Sequence, residues 1–260
     1  MQISISRLKT FKACRRAYYF KYMENLEPIQ KAEALETGGS YHKLLEELNT
    51  TGQLPECDFS KEYAMAKAYE KYIYPRFKVV EAEKYLEYDL GDGDNMIGYA
   101  DGNADDGHIV EHKSTSSEIT EQYEYNLLWD EQILAYMLMT EMRKVWYTVC
   151  RKPSIRQKQN ETESQFYQRM LDWYDEDTES KIRLLEIERT DEEVEQFRKE
   201  LIETLEELHN SKSMYRNCLH CFRWGRQCEY APICLSYEPE QEYAGFTKVE
   251  RSTYGVSENK

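Results

Sequence analysis

The chain is 260 residues long, 40% hydrophobic and 32% charged, with a net charge of −15. That length suffices for one sizeable core, or one core with a small appendage. No apolar run approaches the roughly 20 residues needed to cross a bilayer, and residues 1–23 lack the apolar stretch and small-residue cleavage site of a signal peptide, so a cytoplasmic chain with no membrane partner is expected. Phosphate binding ordinarily leaves a basic footprint, and the net charge argues against nucleic acid until its distribution is read. Seven basic residues lie between Arg7 and Lys31, six between Arg143 and Lys158, and four between Lys212 and Arg226; the last two stretches contain no acid. The negative charge gathers in 172–179 and 192–207, which read as solvated surface.

In chain order, a first helix is expected from Ser6, carrying Leu8, Phe11, Tyr18, Phe20 and Tyr22. A second follows Gly38-Gly39, where Tyr41, Leu44, Leu45 and Leu48 recur at helical spacing, and a third covers 59–74. The period then changes to that of strands at 78–90, 96–101 and 108–113, joined by turns containing Gly and Asp. A long helix is expected over 118–142, apolar on most sides across Ile133–Met139 and therefore buried. Val145–Cys150 suits a covered strand. A polar helix at 163–173 and a strand at 182–187 come next. Thr190 with Glu193 forms a capping box that opens a last helix to about His209. The tail after Ser211 is cysteine-rich and irregular.

The chemistry is concentrated in Gly98-Tyr99-Ala100-Asp101, the turn Asp105-Asp106-Gly107, and Ile109-Val110-Glu111-His112-Lys113. Alternate strand residues share a face, so Glu111 and Lys113 point together and His112 points away. A two-residue turn at Asp106-Gly107 would set Asp101 opposite His112. A three-residue loop over 105–107, with Gly107 in the left-handed region, sets Asp101 opposite Glu111. In that register two carboxylates and an ammonium share one face. Paired carboxylates repel unless a cation neutralises them, and oxygen ligands suit Mg²⁺ or Mn²⁺. Such a cation serves phosphodiester hydrolysis by polarising the phosphoryl oxygen and acidifying a water. Asp105 and Asp106 are explained by the turn, and His108 and His112 by structural or solvated roles.

Asp101 followed after nine residues by Glu111-His112-Lys113 resembles the D…(D/E)xK signature of the PD-(D/E)xK nuclease superfamily. Gly38-Gly39-Ser40-Tyr41-His42 resembles the GxxxH motif of its RecB-like branch, and Gln132-Ile133-Leu134-Ala135-Tyr136 its QxxxY motif, with both side chains on one helix face. Ser4-Ile5-Ser6 followed by Phe11, Cys14 and Tyr18-Tyr19-Phe20 is similar to the branch's opening. The resemblance runs from about Ser4 to Cys234. It implies that His42, Asp101 and Glu111 are metal ligands for Mg²⁺ or Mn²⁺ and that Lys113 positions the attacking water. It also implies that Gln132 and Tyr136 support the lysine and the DNA backbone.

Seven cysteines in a reducing compartment favour thiols or metal ligation over disulfides. Cys14 lies near the N-terminus; Cys221, Cys228 and Cys234 follow one another near the other end. The RecB-like nucleases that carry an iron–sulfur cluster split their ligands this way, so the resemblance implies a [4Fe-4S] cluster on Cys14, Cys221, Cys228 and Cys234. Cys218 is an alternative to Cys221, with Trp224-Gly225-Arg226-Gln227-Cys228 favouring Cys221 as a longer-gap variant. Four thiolates equally suit zinc. Cys57 and Cys150 have no partner pattern.

The expectation is therefore an α/β (α+β) fold with a restriction-endonuclease-like core. A mixed central sheet is flanked by helices, and a cysteine-rich iron–sulfur region joins the N- and C-termini. The chain reads as a single domain: a helical region at 1–77, the nuclease core at 78–190, a helix and cysteine cluster at 191–236, and a flexible tail at 237–260. The implied function is a metal-dependent DNA nuclease, in the first instance an exonuclease, in recombination, repair or phage and CRISPR DNA processing. Its partner would be single-stranded DNA or DNA ends, with protein partners from recombination or CRISPR adaptation. Lys9, Lys12, Arg15 and Arg16, with nearby aromatics, are candidate strand contacts. The alternative is a non-cleaving DNA-binding or assembly subunit that keeps the fold. Oligomeric state has no sequence signal.

Overall fold

The computed structural model describes residues 1–30, 33–223, 226–235 and 243–250. After β1 (Gln2–Ser4), helix α1 (Ile5–Ala13) starts because the extended Ser4 turns its hydroxyl onto the Arg7 N–H, and it stops at Cys14, which is extended at φ −163°, ψ 113°. Helix α2 (Arg15–Tyr18) and a wide helical turn over Tyr19–Met23 follow. The single helix expected from Ser6 is thus broken at Cys14. Next come β2 (Leu26–Pro28), α3 (Glu33–Thr51), which runs through Gly38-Gly39 instead of starting after them, and α4 (Lys61–Tyr72), capped by Ser60.

Three strands follow: β3 (Val79–Gly91), β4 (Asp94–Ala104) and β5 (Ile109–Thr115). The long helix expected over 118–142 is two, α5 (Glu121–Leu127) and α6 (Glu131–Thr140). Asp130 separates them by accepting the Gln132 N–H as an N-cap, and Glu141 at φ +60° ends α6. The remainder is β6 (Lys144–Arg151), α7 (Glu163–Glu176), β7 (Ile182–Glu188), α8 (Asp191–Asn210), the short strands β8 (Phe222–Arg223) and β9 (Arg226–Gln227), α9 (Ala231–Leu235) and β10 (Phe246–Lys248). Capping boxes open α7 (Thr162 with Gln165) and α8 (Thr190 with Glu193).

The chain divides into two compact units. In the unit of Ala32–Leu86 and Tyr99–Val194, β5 is central. It pairs antiparallel with β4, in parallel with β6 through Ile109↔Val145 to Thr115↔Arg151, and β7 closes the row antiparallel to β6. The sheet is mixed and flanked by helices, as expected. Tyr41, Leu45 and Leu48 of α3 meet Met65 and Tyr69 of α4, Cys150 of β6 and Tyr174 of α7 in one buried cluster. Burying each such side chain contributes roughly 1.5–3 kcal/mol, so this layer holds α3 against the sheet.

In the unit of Met1–Lys31, Glu87–Gly98 and Glu195–Lys260, β1 pairs in parallel with the first part of β4, β2 pairs antiparallel with β10, and β8 with β9. Its apolar cluster contains Cys14, Ala17, Phe20, Leu26 and Tyr230, with Tyr230 stacked on Phe20 and Phe246 at 5.7 and 5.6 Å. Of the tail expected at 237–260, residues 237–242 and 251–260 lie outside the described residues, and 246–248 form β10. Trp224-Gly225, used above to choose Cys221, also lies outside them.

Candidate active site

The β4–β5 hairpin takes the three-residue loop. Ala104 N–H donates to the His108 carbonyl at 2.8 Å, Gly107 N–H to the Ala104 carbonyl at 3.1 Å, and Gly107 has φ +87°. Gly102 then faces Val110 and Asn103 faces Ile109, which carries Asp101 opposite Glu111. Glu111 and Lys113 share the site face. His112 turns the other way into the core, where its Nδ1 meets the Thr148 hydroxyl at 2.6 Å.

Asp101 is held at both oxygens: Oδ2 accepts the His112 backbone N–H at 2.6 Å, and Oδ1 lies 3.1 Å from His42 Nδ1 on α3. Burial would raise the Asp101 pKa, but the His42 hydrogen bond and the charge of the two histidines lower it. Burial would likewise lower His42, and Asp101 raises it. Glu111 is pushed up, first by burial and then by the Asp101 charge. Its Oε1 accepts from Lys113 Nζ at 2.6 Å. Lys113 also donates to Gln132 Oε1 at 3.1 Å, and Asp130 Oδ2 stands 3.5 Å away. Burial opposes the charged lysine, yet Glu111 and Asp130 raise its pKa and keep it protonated. Gln132 Nε2 donates to the Tyr136 hydroxyl at 2.7 Å, which donates to the Tyr99 carbonyl at 2.5 Å. His42, Asp101, Glu111, Lys113, Gln132 and Tyr136 are therefore one connected hydrogen-bonded and charged set.

Two neighbours escaped the sequence reading. Asp130 caps α6, accepts the Tyr147 hydroxyl at 2.8 Å and faces Lys113; its signal, an Asp two residues before Gln132, was masked by reading 118–142 as one helix. Glu83 lies in β3 at φ +48° with its residue exposed, and desolvation by its neighbours, then the charges of Asp101 and Glu46, raise its carboxyl. No sequence pattern marked it. His108, by contrast, is buried between Asp106 (2.8 Å) and Glu186 (2.9 Å), away from this set.

Cys14, Cys218, Cys221, Cys228 and Cys234 lie in the other unit, and Cys57 and Cys150 in this one. Cys14 Sγ accepts the Asn217 N–H at 3.3 Å, Cys228 N–H donates to the Cys221 carbonyl at 2.9 Å, and Cys14, Cys228 and Cys234 border one apolar cluster. Burial first, then mutual proximity, raises the thiols of Cys221, Cys228 and Cys234. Cys218 is exposed, Cys57 half-buried, and Cys150 is buried against the Tyr174 hydroxyl at 3.4 Å. Arg15, a candidate strand contact, is instead engaged by Glu207 and Ser211 and lies over the rings of Phe11 and Tyr215.

Among the described residues, no set of three or more His, Cys, Asp and Glu side chains is already arranged around a metal position. The donor set nonetheless fits a hard divalent cation. Buried Glu111 is disfavoured as an anion first by burial and then by the charge of half-buried Asp101, and the His42 imidazole adjoins Asp101. A divalent ion removes that repulsion. Among the described residues, no helix is long and apolar enough to cross a membrane.

The chain belongs to the PD-(D/E)XK nuclease superfamily, whose model matches residues 2–97 and 64–235. Nucleases of that superfamily generally use divalent metals such as Mg²⁺ or Mn²⁺. Among solved structures, the chain is similar to an alkaline exonuclease from Laribacter hongkongensis (14% identity, 80% of this chain and 88% of that one, TM-score 0.39). It is also similar to a phage-related exonuclease from Haemophilus somnus (13% identity, 78% and 91%, TM-score 0.39). Among curated proteins nothing matches the sequence.

Proposed function

We propose that this protein is a divalent-metal-dependent deoxyribonuclease that works from DNA ends. The observation that carries the reading is the register of β4 and β5, which puts Asp101 opposite Glu111 with Lys113 bonded to Glu111 at 2.6 Å. Asp101 and Glu111, with His42, would hold Mg²⁺ or Mn²⁺, which when bound polarises the phosphoryl oxygen and acidifies a water. Lys113 keeps its proton. Its ammonium, steadied by Gln132 and Asp130, is a fixed positive charge where the phosphoryl oxygens gain negative charge as water adds and the bridging P–O bond breaks. The His112 N–H and His42 keep Asp101 ionised and aimed at the same place.

Labelled DNA, marked in turn at each end and within the strand, tests this in Mn²⁺ and Mg²⁺. The expected result is metal-dependent release from an end, lost in Lys113→Ala and Asp101→Ala. Cleavage that survives either change undiminished overturns the assignment.

The finer reading places the chain in the RecB-like branch that carries a [4Fe-4S] cluster, on Cys14, Cys221, Cys228 and Cys234, with zinc as the alternative. Cys14, Cys228 and Cys234 beside one apolar cluster, the Cys228 N–H donated to the Cys221 carbonyl, and a backbone N–H donated to the Cys14 sulfur support it. Anaerobic purification with iron and zinc counts decides: a brown protein with iron supports the cluster, and a colourless one with zinc supports the alternative.

A further inference from the structure

Two pairs of exposed aromatic side chains adjoin residues of the carboxylate–lysine site along the chain. On β4, Tyr99 is 42% exposed, Ala100 is buried and Asp101 is partly open, so Tyr99 shares the site face with Asp101, one register step away. Its ring meets Tyr85 of β3, 39% exposed, at 5.3 Å. Beyond Lys113, the turn between α5 and α6 presents Trp129, 72% exposed, against Tyr125, 55% exposed, with ring centroids 6.3 Å apart. Trp129 immediately precedes Asp130, whose carboxylate is 3.5 Å from Lys113 Nζ.

These rings are not on loose chain. The Tyr99 carbonyl is pinned by the Tyr136 hydroxyl. The turn is held by Leu128 N–H to Tyr125, Trp129 N–H to Asn126 and Asp130 N–H to Leu127, while Arg189 donates to the Leu128 carbonyl. A fixed backbone that leaves a tryptophan three-quarters in water is an interaction surface, since a folded chain gains by covering it. The net charge of −15 narrows the occupant. Phosphate neutralisation alone serves this chain poorly, whereas stacking on π-faces is indifferent to charge and accepts any base. Duplex DNA keeps its base faces covered; only an unpaired strand offers them.

We propose that Tyr85 with Tyr99 on one side of the site, and Tyr125 with Trp129 on the other, are stacking platforms for unpaired bases, so that the strand delivered to Asp101, Glu111 and Lys113 is single-stranded where it crosses the site. This rests on the deoxyribonuclease reading and specifies the form of its substrate. The stacked bases fix the register of the backbone over the site. The same surface disfavours a blunt duplex, which reaches the site only after its end frays.

The test measures binding of fluorescein-labelled oligo(dT) and of a blunt duplex by anisotropy, using the full chain with Lys113→Ala to stop cutting. A 2-aminopurine placed along the single strand reports stacking directly. Trp129→Ala and Tyr99→Ala are each expected to weaken single-strand binding about tenfold or more, to restore 2-aminopurine emission, and to leave duplex binding within about twofold. Trp129→Phe should keep most of the parent affinity. Thermal unfolding of each variant checks that these exposed changes leave the fold intact. Single-strand affinity unchanged in both alanine variants overturns the proposal, as does equal loss on single strand and duplex, or no binding of single strand by the parent. A change in self-association without a change in DNA binding overturns it in favour of a protein interface. Cleavage persisting in Lys113→Ala would count against the nuclease assignment, and the binding arms are read independently of that outcome.

Discussion

The two units gather their reactive groups by different means. In the unit of residues 32–86 and 99–194, main-chain register does the work: a three-residue loop with Gly107 at φ +87° sets Asp101 against Glu111, and hydrogen bonds from His112 and His42 aim the carboxylate. In the other unit, side-chain packing does it. Cys14 and Asn217 are 203 positions apart, and what joins their surroundings is a cluster of Phe20, Leu26 and Tyr230 with the bonds of Asn217 to Ala13 and Cys14. A site held by register should survive loss of its functional side chains with its geometry intact. A pocket held by packing and thiols should not.

The largest effect expected from that contrast is catalytic. Lys113→Ala should lower the cleavage rate about 10²–10³-fold, the usual cost of one preorganised electrostatic group, with little change in Tm. Glu111→Gln should abolish cleavage while holding Tm in a chelator within about 4 °C of the parent, because relief of the burial and Asp101 repulsion that disfavour Glu111 as an anion offsets the loss of the Lys113 partner. A Glu111→Gln protein that melts well below the parent would break the comparison at its root. In the packed pocket, on the proposed reading of a metal centre there, Cys14→Ser should reduce metal occupancy to near zero and open residues 1–30 and 211–235 to limited proteolysis, with 99–194 left resistant. Equal protease sensitivity across both units would show that register and packing do not separate them.

A smaller effect, within the register-held site, isolates Asp130. Its two oxygens do different jobs: Oδ1 caps α6 at the Gln132 N–H, and Oδ2 accepts the Tyr147 hydroxyl and faces Lys113. Asp130→Ser keeps a capping hydroxyl and removes the partner of the lysine; Asp130→Asn keeps one capping oxygen and turns a donor toward the ammonium. Both should hold Tm within a few degrees and lower kcat about tenfold with KM little changed, since the 3.5 Å charge pair with Asp130 is expected to favour the ammonium by roughly 1.4 kcal/mol. A rate that tracks only helix stability, with Asp130→Ser as active as the parent, would reduce Asp130 to a cap.

What could be read in the sequence follows the same division. Strands β3 to β7, the hairpin register and the capping box of α8 were legible because each is set by residues a few positions apart, such as Gly107 in its loop and Thr190 with Glu193; the same kind of box, Thr162 with Gln165, opens α7 and was not read. The break between α5 and α6 was hidden by the apolar run Ile133–Met139, although Asp130 is the residue that makes it. Glu83 and the exposed rings at Tyr85 and Trp129 were not legible, since exposure and a positive φ in β3 depend on what the rest of the fold leaves uncovered. Pairing of β1 with β4, and of β2 with β10, joins segments far apart in the chain and leaves no periodic trace.

The smallest effect expected separates Cys218 from Cys221. Cys218 is exposed and opens a short helical turn whose Asn217 cap binds the Leu219 N–H. Cys221 is partly buried, directs its thiol toward the Asn217 carbonyl at 3.7 Å, and accepts the Cys228 N–H at its own carbonyl. It is thus tied on one side to the residue that contacts Cys14 and on the other to Cys228, which places it inside the set that a bound metal centre would span. Cys218→Ser should leave metal content, absorption and Tm at parent values, and Cys221→Ser should empty the site. The opposite pattern would move the ligand to Cys218 and lengthen the spacing to Cys228 accordingly. Equal loss in both would mean that the turn of 218–220 carries the pocket as a unit, making packing rather than any single thiol the determinant there.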